Sequence, residues 1–143
     1  MGFFKNLFGK KQSPEELEKK KEYRLMHTTT EELILDCDSL LGKIEDIKGV
    51  IDENIDLRIN WLIEKLKDIK NHLEEAHSYL KADNLAYFEN ELREINKIIN
   101  KHEEISIRLQ FLKKIKKLNV SDLSHYKSIT DNVPRLIKEL NKK

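Results

Sequence analysis

The side chains best suited to chemistry are a glutamate and a histidine at helical spacing. Glu74 and His77 are three positions apart, the spacing at which carboxylate-bridged di-iron bundles place two ligands on one helix face. Such a centre needs a second Glu-x-x-His pair, and the sequence contains none. We therefore predict no metal site and no cofactor, and we interpret His72 and Glu75 as solvated neighbours of this pair.

Other catalytic patterns are also missing. Cys37 is the single cysteine, so no intrachain disulfide can form, and its place on an apolar helix face is typical of a buried packing residue. His102 lies on such a face too and receives the same interpretation. The sequence has no Gly-x-x-x-x-Gly-Lys loop, no Gly-x-Gly-x-x-Gly, and no arginine followed five to seven positions later by the histidine of helical nucleases. We predict a protein that is not an enzyme, and no small-molecule substrate is evident.

Composition favours long solvated helices over a thick globular core. Charged residues make up 37% of the chain and hydrophobic residues 38%, with only 4 Gly and 2 Pro. Lys+Arg 27 against Asp+Glu 26 gives no net basic field, which argues against a nucleic-acid partner; the basic run 113–117 is interpreted as a solvated helix end. No run of about 20 apolar residues and no secretory signal are present, so we predict a cytoplasmic protein.

Apolar residues that recur every three or four positions predict the helices. The longest would span residues 31–82, with one stutter after Ile51; Gly42 and Gly49 make residues 42–55 its weakest part. Three further helices are predicted, the last with a kink near residues 132–134 at Pro134: 14–27, 85–119 and 122–141. The threonines at 28–30 and the turn residues at 82–84 separate them, and Ser121 is expected to cap the last.

These helices predict an all-α fold. A connection as short as residues 83–84 makes its flanking helices antiparallel, so that residue x faces about residue 167 minus x. A second apolar stripe on the 85–119 helix needs a third neighbour, which the C-terminal helix supplies. The prediction is an elongated antiparallel hairpin or coiled coil, thickened to a three-helix bundle at one end, with a bare tip near residues 70–97 and a short N-terminal helix. Residues 31–47 would extend beyond the bundle. That second stripe comprises Ile107, Phe111, Ile115 and Leu118.

Residues 1–12 form an amphipathic segment separate from the single domain 13–143. On a helix its apolar side chains share one face, suited to the acyl boundary of a membrane, with lysines near anionic headgroups. The segment 1–11 resembles the amphipathic starts of peripheral membrane proteins, including the helical proteins of the ESCRT-III and phage-shock type, but the following helix lacks the strongly basic character of ESCRT-III proteins. The predicted membrane contacts are Phe3, Phe4, Lys5, Leu7, Phe8, Lys10 and Lys11.

Two functions are consistent with these features. The first is a non-enzymatic structural or adaptor protein, attached to an anionic membrane surface at its inner face by residues 3–8 and to a protein partner, or a second copy, by its helices. The alternative is a soluble cytoplasmic protein-interaction module with no membrane role, in which the N-terminal segment packs on the body. The predicted partner contacts are Leu33, Leu40, Ile44 and Trp61.

Overall fold

The structure, a computed structural model, describes residues 14–50 and 58–142, with side chains from residue 20 onward. The described residues contain helices and no strand, which confirms the all-α class. The helices are α1 (Pro14–Lys48), α2 (Ile59–Lys81), α3 (Leu85–Lys101), α4 (Glu104–Lys114) and α5 (Val120–Leu140).

The predicted break at residues 28–30 is wrong, because α1 continues through the three threonines. Thr30 Oγ1 donates a hydrogen bond to the carbonyl oxygen of Met26, 2.6 Å away and one turn earlier. A hydroxyl satisfied in this way does not compete with the helix for backbone groups. Thr29 and Thr30 are also buried, so tertiary packing outweighs the weak helix propensity of threonine.

The predicted continuous helix 31–82 is also wrong. α1 ends at Lys48, α2 begins at Ile59, and the two helices pack antiparallel. Lys70 Nζ lies 2.6 Å from Asp38 Oδ1, whereas 32 residues of one helix would separate these residues by about 48 Å. The interruption falls in the stretch with Gly49 and the stutter, where the sequence is weakest as a helix. The two halves of the predicted seam therefore face each other.

The chain also reverses at residues 82–84. Asp83 adopts a left-handed conformation (φ 59°), and the Asn84 side chain accepts a hydrogen bond from the backbone N–H of Tyr87 at 3.2 Å. Across the helices that follow, Tyr79 packs against Tyr87 and His72 Nδ1 lies 2.5 Å from Glu91 Oε2. These contacts are consistent with the reversal and register expected from the sequence.

The predicted helix 85–119 is divided in two. At His102 the backbone leaves helical geometry (φ −116°, ψ 65°), and α4 begins at Glu104. α4 ends at Lys114, and Lys116 is left-handed (φ 63°). The backbone N–H of Lys117 donates a hydrogen bond to the carbonyl oxygen of Leu112, and the N–H of Lys116 donates one to the carbonyl oxygen of Lys113. This is the hydrogen-bond pattern of a Schellman motif. This motif turns the chain toward α5.

α1, α2, α3 and α5 surround a common core. α1 packs against α2 and α5, and α3 packs against α2 and α5, which closes a ring of four helices. α5 is antiparallel to α1, since His125 Nδ1 meets Asp36 Oδ1 at 2.8 Å and Lys43 lies beside the start of α5. α5 continues through Pro134 without interruption. Two expectations are corrected. Residues 31–47 belong to one of the four helices of the ring and do not extend beyond the bundle. The tip near 70–97 is flanked by α1 through Tyr23 and His27.

Candidate partner-binding groove

An open groove lies between the end of α3, α4 and the first half of α5. Its volume is about 730 Å³. α4 packs on α5 less extensively than α3 does, so part of the apolar surface of both helices stays uncovered. The apolar lining is Ile99, Ile107, Leu109, Val120, Leu123 and Tyr126, and the polar lining includes Asn100, Glu103, Gln110, Lys113 and Lys127.

The lips of the groove carry large apolar side chains in contact with solvent. Ile107 on α4 is 64% exposed and Val120 on α5 is 68% exposed, and both line the groove. Phe111, one turn after Ile107 on α4, is 43% exposed and does not itself line the groove. Such a group on an otherwise charged helical surface is typical of an interaction site.

The position of Val120 is fixed by a cap at the start of α5. The Asn119 side chain accepts a hydrogen bond from Asp122 N–H at 2.8 Å, and the Asp122 carboxylate accepts one from Asn119 N–H at 2.9 Å. This is a reciprocal capping box. The cap is therefore Asn119, and the expectation that Ser121 caps this helix is wrong.

The loop end of the groove is basic. A shallow hollow there is lined by Lys43, Lys113, Lys116 and Lys117, with Asp122 nearby. The Asp122 carboxylate is already engaged in the cap of α5. Within residues 20–50 and 58–142, none of these four lysines forms an ion pair. Their charge is available to an acidic ligand.

The predicted partner contacts lie elsewhere. Leu33, Leu40 and Ile44 are buried in the core of the chain itself, so the exposed seam expected at residues 31–47 does not exist. α2 and α5 cover that seam because α1 ends at Lys48 and the chain folds back. Trp61 is half-buried; its ring packs edge-on against His102 at 5.7 Å between centroids. The predicted membrane contacts, residues 3–11, lie outside the described residues.

The groove was visible in the sequence only in part. The second apolar stripe contains Ile107 and Phe111, and we expected the C-terminal helix to cover it. Leu118 is buried and Ile115 is partly buried, but Ile107 and Phe111 are exposed. The extent of contact between two helices depends on their relative orientation, which a periodic pattern does not specify.

The single cysteine is a poor nucleophile. Cys37 is fully buried, and burial, with the nearby Asp38 carboxylate, raises the pKa of its thiol to about 12. His72 is not the solvated residue expected, because it joins α2 to α3 through Glu91, while Glu75 is exposed as expected. His102 packs against Trp61.

Comparisons of the chain with models of protein families, with curated proteins and with solved structures found no match. Among the helices described, none has an apolar stretch long enough to cross a membrane.

Proposed function

We propose that this protein is a non-enzymatic helical adaptor that binds an acidic amphipathic helix of a partner protein in the groove between α4 and α5. Residues 3–8 attach the adaptor to an anionic membrane surface. The observation that carries the proposal is the open apolar groove with Ile107 and Val120 on its two lips.

The dimensions of the groove suit a short helix. It extends along α5 from Val120 to Thr130, ten residues, or about 15 Å at about 1.5 Å per residue. A partner helix of about three turns covers this length, with apolar side chains at every third or fourth position in the groove. Burial of the exposed parts of Ile107 and Val120 contributes roughly 2–4 kcal/mol before the cost of association, which favours a reversible complex.

Charge selects the partner. The four lysines at the loop end of the groove favour acidic side chains on the bound helix and disfavour basic ones. This preference sets the orientation of the partner as well, because its acidic end should lie beside Lys116 and Lys117.

The basic end of the groove is out of reach of Phe8 of the same molecule. Val120 lies beside Lys43, which is 29 residues after Pro14 on α1, or about 43 Å along the helix. Phe8 is six residues before Pro14, and six extended residues span at most about 21 Å. The segment is also basic, as is the end of the groove. Membrane attachment and partner binding are thus assigned to opposite ends of the molecule.

A peptide titration tests the groove. The probe is a synthetic helix with leucines at every third or fourth position and glutamates elsewhere, added to the ¹⁵N-labelled full chain and followed by NMR. We expect saturable shifts at the amides of Ile107, Phe111 and Val120, and at least a tenfold weaker affinity for the double variant Ile107→Ser, Val120→Ser. The matched control is Leu25→Ser, Leu35→Ser, which removes two exposed side chains of α1.

Three results would overturn the groove assignment. If a peptide with lysines in place of the glutamates binds with equal affinity, the charge argument is removed. If a peptide with the same leucines in scrambled positions binds with equal affinity, the argument for an amphipathic helix is removed. Concentration-dependent shifts at the same amides without peptide would identify a second copy as the occupant.

Flotation on vesicles distinguishes a membrane-attached adaptor from a soluble interaction module. The full chain should float with phosphatidylserine-containing vesicles and not with pure phosphatidylcholine vesicles. The variant Phe3→Ser, Phe4→Ser, Phe8→Ser should lose flotation, while Leu25→Ser, Leu35→Ser keeps it. Equal flotation of all three removes the role of residues 3–8 in attachment. Failure of the wild type to float removes the membrane role and leaves the soluble interaction module.

A further inference from the structure

Three side chains with metal-ligating atoms converge at the interface of α1 and α2. His27 and Glu31 lie one turn apart on α1, and His77 faces them from α2. One donor atom from each residue lies within 4.8 Å of the other two. His77 Nε2 and Glu31 Oε1 are 3.3 Å apart. Both histidines are partly buried.

The geometry is close to that of a zinc site. Bonds of about 2.0–2.1 Å in a tetrahedron place neighbouring ligand atoms about 3.3–3.4 Å apart. The pair formed by Glu31 and His77 already has this separation, and no separation in the cluster exceeds it by more than about 1.5 Å. Rotation of partly exposed side chains supplies such a movement, so the backbone can stay in place.

The two helices are held in register next to the cluster. The Tyr23 hydroxyl lies 2.5 Å from Asp83 Oδ1 and also reaches the Leu80 carbonyl oxygen, which ties the start of α1 to the end of α2. The Tyr23 ring packs edge-on against His27 at 4.8 Å between centroids. On the other side, Lys70 pairs with Asp38. Ligands on a preorganised backbone bind a metal with a smaller ordering cost.

We propose that His27, Glu31 and His77 bind a divalent transition-metal ion of the zinc class, with water in the fourth position. Two imidazoles and one carboxylate suit zinc, cobalt and nickel, whereas Mg²⁺ and Ca²⁺ need predominantly oxygen ligands. The bound ion joins the first half of α1 to the last turns of α2. This site does not depend on the groove or on membrane attachment.

Metal titration of the untagged full chain tests the site. We expect one equivalent of Zn²⁺ to bind in calorimetry, Co²⁺ to give visible absorption bands of an imidazole-ligated ion, and Mg²⁺ to give neither signal. His27→Gln and His77→Gln should each weaken Zn²⁺ binding more than tenfold. The matched controls are His72→Gln and His125→Gln, two histidines of the same bundle with carboxylate neighbours.

Thermal unfolding provides a second measurement. Zn²⁺ should raise the Tm of the wild type and of both controls, because it binds the folded state, and it should leave the Tm of Glu31→Gln, His77→Gln unchanged. Circular dichroism without metal checks that each variant is folded. Failure of millimolar Zn²⁺ to bind the folded wild type, or equal binding by the ligand variants, overturns the proposal.

Discussion

The thiol of Cys37 donates a hydrogen bond to the backbone carbonyl oxygen of Leu66, 3.3 Å away across the interface of α1 and α2. Both side chains are fully buried. A thiolate at this place would have no water to solvate it, which is why its pKa is raised. The relationship defines Cys37 as a packing residue and gives the first prediction.

Stability should fall in alkaline solution, beginning near pH 9. Cys37 titrates at 9.0 when unfolded and has a pKa of about 12 in the folded protein, so the folded state holds the proton more tightly. The stabilisation is complete below pH 9.0 and is lost as the pH rises toward about 12. Urea unfolding at a series of pH values measures this slope. Cys37→Ala should remove it between about pH 9 and 10, where unfolded tyrosines are still largely protonated.

Above that range the slope should persist in the variant. The hydrogen bond to Asp83 raises the pKa of Tyr23 to about 12, and burial raises that of Tyr126 to about 12, both from 10.0. Like Cys37, both tyrosines hold their proton more tightly in the folded state, so their contributions to stability are also lost as the pH rises. Identical slopes for the wild type and Cys37→Ala near pH 9.5 would contradict the assignment.

The reversal between α1 and α2 predicts a short distance between residues 38 and 70. Asp38→Cys and Lys70→Cys, in a Cys37→Ala background, place two spin labels on partly exposed positions. Pulsed EPR should give a distance below about 25 Å, against about 48 Å for one continuous helix. Dilution with unlabelled protein removes any contribution from a second molecule. A distance of about 48 Å would contradict the reversal and support one continuous helix over residues 31–82.

Phe88 should be a major contributor to stability. It lies on α3, is fully buried and is among the largest buried side chains of the described residues. Phe88→Ala removes apolar contacts and leaves a cavity, so we expect a loss of about 3–5 kcal/mol in the free energy of unfolding. Leu85→Ala, at a 42% exposed position of the same helix, should cost less than about 1 kcal/mol. Chemical denaturation measures both, and equal costs would show that Phe88 is not packed as described.

The capping box of α5 gives a prediction about stability and the groove together. Asn119→Ala should cost about 1 kcal/mol, because the backbone N–H of Asp122 loses its partner. Ser121→Ala, two residues later and exposed, should cost under about 0.5 kcal/mol. A larger loss of stability for Ser121→Ala than for Asn119→Ala would identify Ser121 as the capping residue. Asn119→Ala should also weaken the peptide in the groove, since Val120 follows the cap directly.

Periodicity predicted which residues are helical, but not where the helices end. Leu40, Ile44 and Leu66 were correctly assigned to an apolar seam, and all three are buried. The same seam is satisfied by a continuous helix packed on another chain and by two shorter helices packed on each other. The choice depends on a few residues near Gly49, whose individual effects of about 1 kcal/mol are small against the burial of two whole seams.

The candidate sites were harder to predict for the same reason. His27, Glu31 and His77 come together only because α1 and α2 are antiparallel, and a continuous helix 31–82 keeps Glu31 and His77 about 69 Å apart. Ile107 and Phe111 were recognised as apolar, but their exposure depends on how far α5 lies from α4. Local patterns indicate which side chains are apolar or can bind a ligand, whereas the residues that they contact are set by the arrangement of all the helices.

The return of α5 alongside α1 has a practical consequence for labelling. His125 pairs with Asp36, so Leu140, fifteen residues later, lies about level with residue 21 of α1. A fluorescent protein fused after residue 143 would thus project from the same pole as Pro14. The opposite pole, with the groove and its lysines, would stay unobstructed for ligand titrations.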